Sequence, residues 1–380
     1  MNRMFTGFTR HVNVADLWLN YDPEAPQKRF RNIGIAATKL KMSARLPGAV
    51  PWPAGWAPTA APLNPAPAAS DDLTRFRGYD AVVVTWTAAE AAALAALFTP
   101  EYLPSAWYEY RHDVASYVPL VTGTKAPFND ASADNARYYH SLGLYFPCTI
   151  GNARVLLFKS GLHLDYDGPQ IPLRTLIGEL AEAIQPKIFI TTGTGGGIGS
   201  DSLLADVAIA THAQFDCVTQ FKAEPWHAAS YATAPLPAGA LGAITPALLQ
   251  VNAAKVPGAR AVPMVWNGPS DAVVTTDFFG FDDSTDYYKL QGLGRVCDMG
   301  DAMVAQAMQA YPDIAFYSIR NVSDPQIPNP NNDIEAAGQK ASKIYAEYGA
   351  FTTASSVIAT WAVIYSAVHG NSARKRHHAA

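Results

Sequence analysis

Cysteine is scarce in this chain. Cys148, Cys217 and Cys297 stand far apart among 380 residues. They match no metal-ligand spacing, and buried reduced thiols are the expected state. Charge is thin as well. Asp, Glu, Lys and Arg make up 16% of the residues and leave a net charge of -4, so no basic field points to nucleic acid or an anionic membrane. The amino terminus lacks an apolar signal core, and the last helical stretch is interrupted by Thr, Ser and Trp. We therefore expect no membrane segment and a cytoplasmic protein. Apolar residues are plentiful at 49%, enough for one large core with extensions.

The organising stretch is Lys187–Gly199. Ile188, Phe189 and Ile190 form a short β-favouring run that fits a strand buried on both faces. Glycines follow at 193, 195, 196 and 197. Such a cluster implies a backbone that turns sharply, or one that lies against something with no Cβ in the way. We expect a ligand-side loop there, because ligands of open parallel sheets bind past the carboxyl ends of strands. The run GTGGGIG is not a dinucleotide fingerprint, since no clean G-x-G-x-x-G leads into a helix.

Residues 1–78 read as a proline-rich extension, with Trp52 and Trp56 available to dock on the core. Ala81–Thr85 reads as a buried strand and Ala88–Phe98 as a helix, with Thr87 as N-cap and Glu90 as its capping-box partner. Residues 100–145 read as an irregular aromatic insertion. Arg154–Phe158 is the next strand, followed by a helix starting near Pro172 with one apolar stripe through Leu173, Leu176, Ile177, Leu180 and Ile184. A second insertion covers 218–258. Strands are expected again near Val262–Val265, Ala272–Thr275 and Ala315–Ile319, with a helix over Met299–Ala310 between the last two. Two terminal helices, Ile334–Tyr348 and Phe351–Val368, are separated by Gly349. The tail 371–380 reads as a solvated end, its adjacent histidines incidental. The alternation predicts an α/β fold with a mixed, largely parallel central sheet over 79–370.

Strand ends carry the candidate chemistry: Glu90 after the first, Ser160 after the second, the glycines after the third, Asp277-Phe278-Phe279 after a later one, and Asp324 after the last. The ordered elements Ala81–Glu90, Lys159-Ser-Gly161, Thr192–Gly196, Ala205-Asp-Val207, Thr276–Phe279, Asp298-Met299 and Arg320–Asp324 resemble the nucleoside phosphorylase superfamily. The likeness runs over roughly 80–368 and is nearest to the methylthioadenosine/S-adenosylhomocysteine nucleosidase branch. It implies a three-layer fold and no cofactor or metal. It also implies a small-molecule nucleoside as partner and a homodimer.

The resemblance also implies roles. Asp324 would protonate N7 of a departing purine, and Glu90 would activate the attacking water. Phe279 would stack on the base and Met299 pack under the sugar. Ser160, Ser323 and the Gly193, Thr194, Gly195 and Gly196 stretch would line the sugar side. The family pattern has Met-Glu where this chain has Met299-Gly300, and that glutamate holds the ribose hydroxyls. Asp298 or Asp301 could replace it. The family's phosphorylases carry an arginine after the first strand, whereas Thr85–Glu90 has no basic residue and ends in an acid. Lys159 is expected to be solvated. The expected function is therefore hydrolysis of a purine N-glycosidic bond. The alternatives are a phosphate-dependent phosphorylase or a non-catalytic nucleoside-binding protein.

Overall fold

In the computed structural model, residue 46 and residues 50–120, 142–164 and 170–377 are described. Expectations for the arm before residue 46, for residues 121–141 and for the tail side chains lie outside these residues.

The centre of the fold is a sheet whose strands are apolar on both faces. In β2 (Ala81–Thr85), Val82 and Val84 point into one core and Ala81 and Val83 into the other, all fully buried. The same alternation runs through β5 (Ala153–Ser160) and the start of β6 (Ile188–Gly197). Two helices cover the first face: α2 (Pro172–Ile184), which buries the apolar stripe expected of it, and α4 (Asp301–Met308). The other face is covered by α1 (Ala88–Phe98), α3 (Pro246–Ala253) and α5 (Ile334–His377). A strand buried on both sides must be sandwiched in this way, so the three layers follow from the composition of the strands.

Around the centre the sheet runs β5, β2, β6, β13 (Ala315–Asp324), all parallel. β4 (Gly143–Ile150) pairs antiparallel with β5. That strand was not expected, since its start falls in the stretch read as an irregular insertion and Pro147 interrupts its pattern. β6 is the branch point. Its first half pairs with β2 as far as Thr191, and Gly196 and Gly197 pair antiparallel with β12 (Val296–Asp298). Between them, Thr192–Gly195 has no strand on that edge among the described residues, while β13 stays paired on the other. β12 continues through β11 (Ala272–Thr276) to β8 (His212–Asp216).

Two expectations are corrected here. The glycines form no loop; they are the second half of β6. A Cβ on Gly195 would stand 2.7 Å from the Cys297 carbonyl, and one on Gly197 would stand 2.7 Å from Ser202 Cβ. Close packing, not turning, is what glycine supplies there. The terminal helices are likewise one helix of 44 residues. Gly349 lies inside it, where a Cβ would stand 3.5 Å from Ala89 Cβ, so it lets α5 approach α1 instead of stopping the helix.

By length and mean hydropathy α5 could cross a membrane, contrary to expectation, but 83% of its most apolar window is buried inside the fold. Its interrupting polar residues face the sheet: Ser356 Oγ donates to Asn321 Oδ1 at 2.8 Å and Thr360 Oγ1 to Thr192 Oγ1 at 2.9 Å. The arm docks on the same helix. The Trp52 ring packs at a 40° tilt against Trp361, centroids 5.1 Å apart, and Trp361 Nε1 donates to the Trp56 carbonyl at 2.8 Å. β1 (Pro58–Ala60) then adds to β4 as an antiparallel edge.

Candidate active site

A cavity of about 740 Å³ including its mouth opens where β6 changes partner. It lies at the carboxyl ends of β2 and β13, the usual place for a ligand in a sheet of this kind. Glu90, Thr194, Gly195, Gly196, Phe279 and Asp298 line it, together with Met299, Ser323 and Asp324.

Glu90 is delivered by the first turn of α1. Thr87 Oγ1 accepts the Glu90 N–H at 3.2 Å, and the carboxylate accepts the Thr87 N–H at 2.8 Å, closing the expected capping box. The carboxylate does more than cap. Oε2 also accepts Thr85 Oγ1 and the Trp86 N–H, each at 2.8 Å. Oε1 accepts the N–H and hydroxyl of Thr194 at 2.7 Å and Arg320 Nη1 at 3.3 Å. The Thr194 N–H is one that the gap in the β6 edge leaves without a strand partner. Burial alone would raise this acid; Arg320 and the N–H groups of Thr194, Thr87 and Trp86 outweigh it and hold the pKa below the ordinary value. Gly193 makes the approach possible, since a Cβ there would stand 2.2 Å from Glu90 Oε1.

Asp324 is treated in the opposite way. Among the described residues its carboxyl group takes one hydrogen bond, from Ser323 Oγ to Oδ1 at 2.9 Å, and the buried Oδ2 has no hydrogen-bond partner. Burial pushes its pKa to about 7, against the weak pull of Ser323. A β-bulge delivers it. Val322 pairs with Gly195 and Asp324 with Gly196, so Ser323 is an extra residue in the strand. The bulge resets the alternation, which lets two consecutive side chains, Ser323 and Asp324, reach one cavity. Gly196 leaves the room; a Cβ there would stand 3.1 Å from Asp324 Oδ2.

Arg320 ties the floor together. Nε donates to Asp301 Oδ2 at 2.9 Å, and Nη2 reaches both Asp301 Oδ1 and, at 3.2 Å, Asp298 Oδ2. Nη1 serves Glu90 and the Thr194 carbonyl, both at 3.3 Å. Four of these contacts are hydrogen bonds and the one to Asp298 is an ion pair, so four of the five guanidinium N–H groups are committed. Its flat face lies over the Trp86 ring at 4.8 Å. Asp301 is held charged and low by Arg320 and Ser318, whereas burial and the charge of Asp301 push Asp298 up.

The cavity thus gathers most of the expected residues and leaves out three. Ser160 forms a tight turn, its Oγ donating to the Leu162 carbonyl at 2.8 Å and accepting the Leu162 N–H at 3.0 Å, and does not line the cavity. Gly193 lies behind Glu90 rather than on the wall. Asp301 is beneath the floor in the grip of Arg320 and cannot meet a ligand hydroxyl. Asp298 does line the wall; its Oδ1 accepts Thr275 Oγ1 at 2.6 Å, and its Oδ2 accepts the N–H groups of Gly300 and Asp301 and pairs with Arg320. Lys159 is buried, not solvated. Asp277 instead gathers the N–H groups of Val218, Thr219 and Phe221.

Sequence reasoning assigned no role to Trp86, His163, Arg320 or Tyr345, all of which line the cavity. Trp86 and Arg320 stand inside motifs already singled out. His163 and Tyr345 carried no sequence signal, and Tyr345 arrives from α5 to share a 2.6 Å hydrogen bond with Thr87 Oγ1.

No curated protein matches the chain in sequence. Among solved structures it is similar to the 5′-methylthioadenosine/S-adenosylhomocysteine nucleosidase of Helicobacter pylori, with a TM-score of 0.45 and 14% identity over 73% of this chain and 95% of that one. It is also similar to the futalosine hydrolase of the same organism (0.45 and 12%, over 75% and 97%). A third is the methylthioadenosine/S-adenosylhomocysteine nucleosidase of Neisseria meningitidis (0.38 and 17%, over 73% and 97%). The sequence model of the phosphorylase superfamily matches residues 116–349, a span that excludes Glu90. With well over half of its length matched to that model, the chain belongs to the phosphorylase superfamily.

Proposed function

We propose that this protein hydrolyses the N-glycosidic bond of a purine nucleoside, with Asp324 as the acid and Glu90 as the carboxylate that orients and activates water. One observation carries the reading. Of the three buried carboxyl groups that line the cavity, Asp298 is tied to Thr275 and Arg320, and the other two stand in opposite settings: among the described residues Glu90 takes six donated hydrogen bonds and Asp324 one. The first is built to stay charged, and the second keeps its proton to near neutral pH. An N-glycosidic bond breaks through an oxocarbenium-like state as negative charge builds on the base. A neutral acid on the base side and a fixed anion on the sugar side match both developing charges.

Two of the donors to Glu90 are hydroxyls, Thr85 Oγ1 and Thr194 Oγ1. Either can rotate away and leave an acceptor site for a water, while the N–H donors and Arg320 keep the carboxylate in place. Phe279, half-buried at the wall near Phe281, offers an aromatic face for the base.

Water is favoured over phosphate as nucleophile. A phosphate dianion needs free, well-aimed donors. Arg320 commits four N–H groups to Glu90, Thr194 and Asp301 and is ion-paired with Asp298 as well, and no basic side chain stands in Thr85–Glu90. Base release from adenosine, inosine and methylthioadenosine, measured with and without phosphate, tests this. Release that needs no phosphate is expected, and strict phosphate dependence would reject the hydrolase. In the same assay Asp324→Asn should lose at least about 10²-fold in kcat with affinity retained, and unchanged turnover would remove Asp324 as the acid.

A further inference from the structure

We propose that Tyr345 is a positioning residue for the nucleophilic water: its hydroxyl takes the Thr194 proton away from Glu90, which frees Oε1 as the oxygen that accepts the water. The inference rests on the nucleosidase reading and deepens it, by naming the carboxylate oxygen and the residue that releases it.

Both oxygens of Glu90 are engaged. Oε2 accepts Thr85 Oγ1 and the N–H groups of Trp86 and Thr87, while Oε1 accepts the N–H and hydroxyl of Thr194 and Arg320 Nη1. Backbone N–H groups and a packed guanidinium are fixed, so a hydroxyl must give way to the water. Thr85 is fully buried and does not line the cavity, and among the described residues its hydroxyl bonds Glu90 alone. Thr194 lines the cavity and has a second partner. The Tyr345 hydroxyl bonds the side chains of both Thr87 and Thr194.

The ring that carries this hydroxyl is firmly seated. It packs with Ala89 and Ala350, and a Cβ on Gly349, one turn further along α5, would stand 3.4 Å from it. Burial and the charge of Glu90 push its pKa up, so it stays protonated.

The hydroxyl protons then have two consistent arrangements. In one, Thr87 donates to Tyr345, Tyr345 to Thr194, and Thr194 to Glu90. In the other, Thr194 donates to Tyr345 and Tyr345 to Thr87, either direction being open to the 2.6 Å contact. The Thr87 proton is left for solvent in the cavity that Thr87 lines. No heavy atom has to move. The charge-assisted bond that Thr194 gives up is replaced by the one the water makes to Oε1. Without the Tyr345 oxygen, Thr194 would have to leave Glu90 with no acceptor for its proton, which is costly in a buried site.

The test uses the full chain and whichever of adenosine, inosine and methylthioadenosine it turns over fastest. Tyr345→Phe keeps the ring packing and removes the hydroxyl. It should lower kcat about tenfold and leave KM within about twofold. Thr194→Ala removes the hydroxyl that has to leave, so it should retain at least about a tenth of the rate, and adding Tyr345→Phe to it should change kcat by less than about twofold. A structural role for Tyr345 would lower both backgrounds alike. Unchanged kcat in Tyr345→Phe, an equal loss on the Thr194→Ala background, or a Thr194→Ala protein that releases no base would each overturn the proposal and leave the nucleosidase reading standing. An unaltered protein that releases no base removes the nucleosidase reading and this proposal together.

Discussion

Asp324 has a folded-state pKa of about 7, raised by burial, whereas in an unfolded chain an aspartate titrates near about 3.9. Between these values the native protein binds the extra proton, so this residue makes stability fall as pH rises through the window and level off above it. Asp324→Asn should therefore raise Tm by a few degrees at pH 8 and by much less at pH 5, read by calorimetry. Activity should fall as pH rises through about 7, when the acid is lost. The Ser323 hydroxyl lowers that pKa by bonding the charged form, so Ser323→Ala should move the alkaline limb of the kcat/KM profile upward. A limb that stays put or moves down would place the titration elsewhere. Glu90 lies at the other extreme, held charged by its donors. Glu90→Gln turns one acceptor oxygen into a donor facing other donors, and should cost at least about 10²-fold in hydrolysis.

β6 owes its function to an interruption of its pairing. Among the described residues its edge has no strand over Thr192–Gly195, between β2 and β12, and an N–H there holds Glu90. The strand needs glycine at 193 because Glu90 occupies the Cβ position. Gly193→Ala should displace the carboxylate, lowering stability by about 1–3 kcal/mol in urea titrations and removing activity with it. A stable, fully active variant would show that the carboxylate need not sit there. α1 holds the same residue from its amino end. Thr87→Ala removes the cap and the contact with Tyr345, and a loss of about 1 kcal/mol or somewhat more is expected.

The chain packs two cores on a shared sheet, and α5 joins the larger part of one of them to the arm and to the cavity. Trp361 is fully buried, packs against the tilted Trp52 ring and donates to the Trp56 carbonyl. Trp361→Ala should cost about 3–5 kcal/mol and expose the described part of the arm to limited proteolysis near Trp52–Trp56. Tyr345, sixteen residues earlier on the same helix, contacts the cap of α1, so loosening α5 should also lower activity.

Much of this was legible in order along the chain. Apolar runs such as Ile188–Ile190 require cover on both faces, which set the three layers. Thr87 and Glu90 three residues apart announced the cap, and Pro172 the start of α2. Asp324 could be singled out as a candidate because it ends an apolar strand, and only the family resemblance gave it the role of acid. Local pattern could not say what each glycine avoids. Gly195 and Gly349 read as loop and helix stop, and only their neighbours, Cys297 and Ala89, showed that they sit in a strand and in a helix for close packing. Nor could spacing tell which carboxylates are free. Asp298 and Asp301 looked interchangeable until Arg320, brought by β13, claimed both. The amino-acid order determined the strands, the caps and the acids, because those depend on near neighbours. Folding decided which acid keeps its charge and which is left with a proton, because that depends on residues hundreds of positions apart meeting where water is excluded.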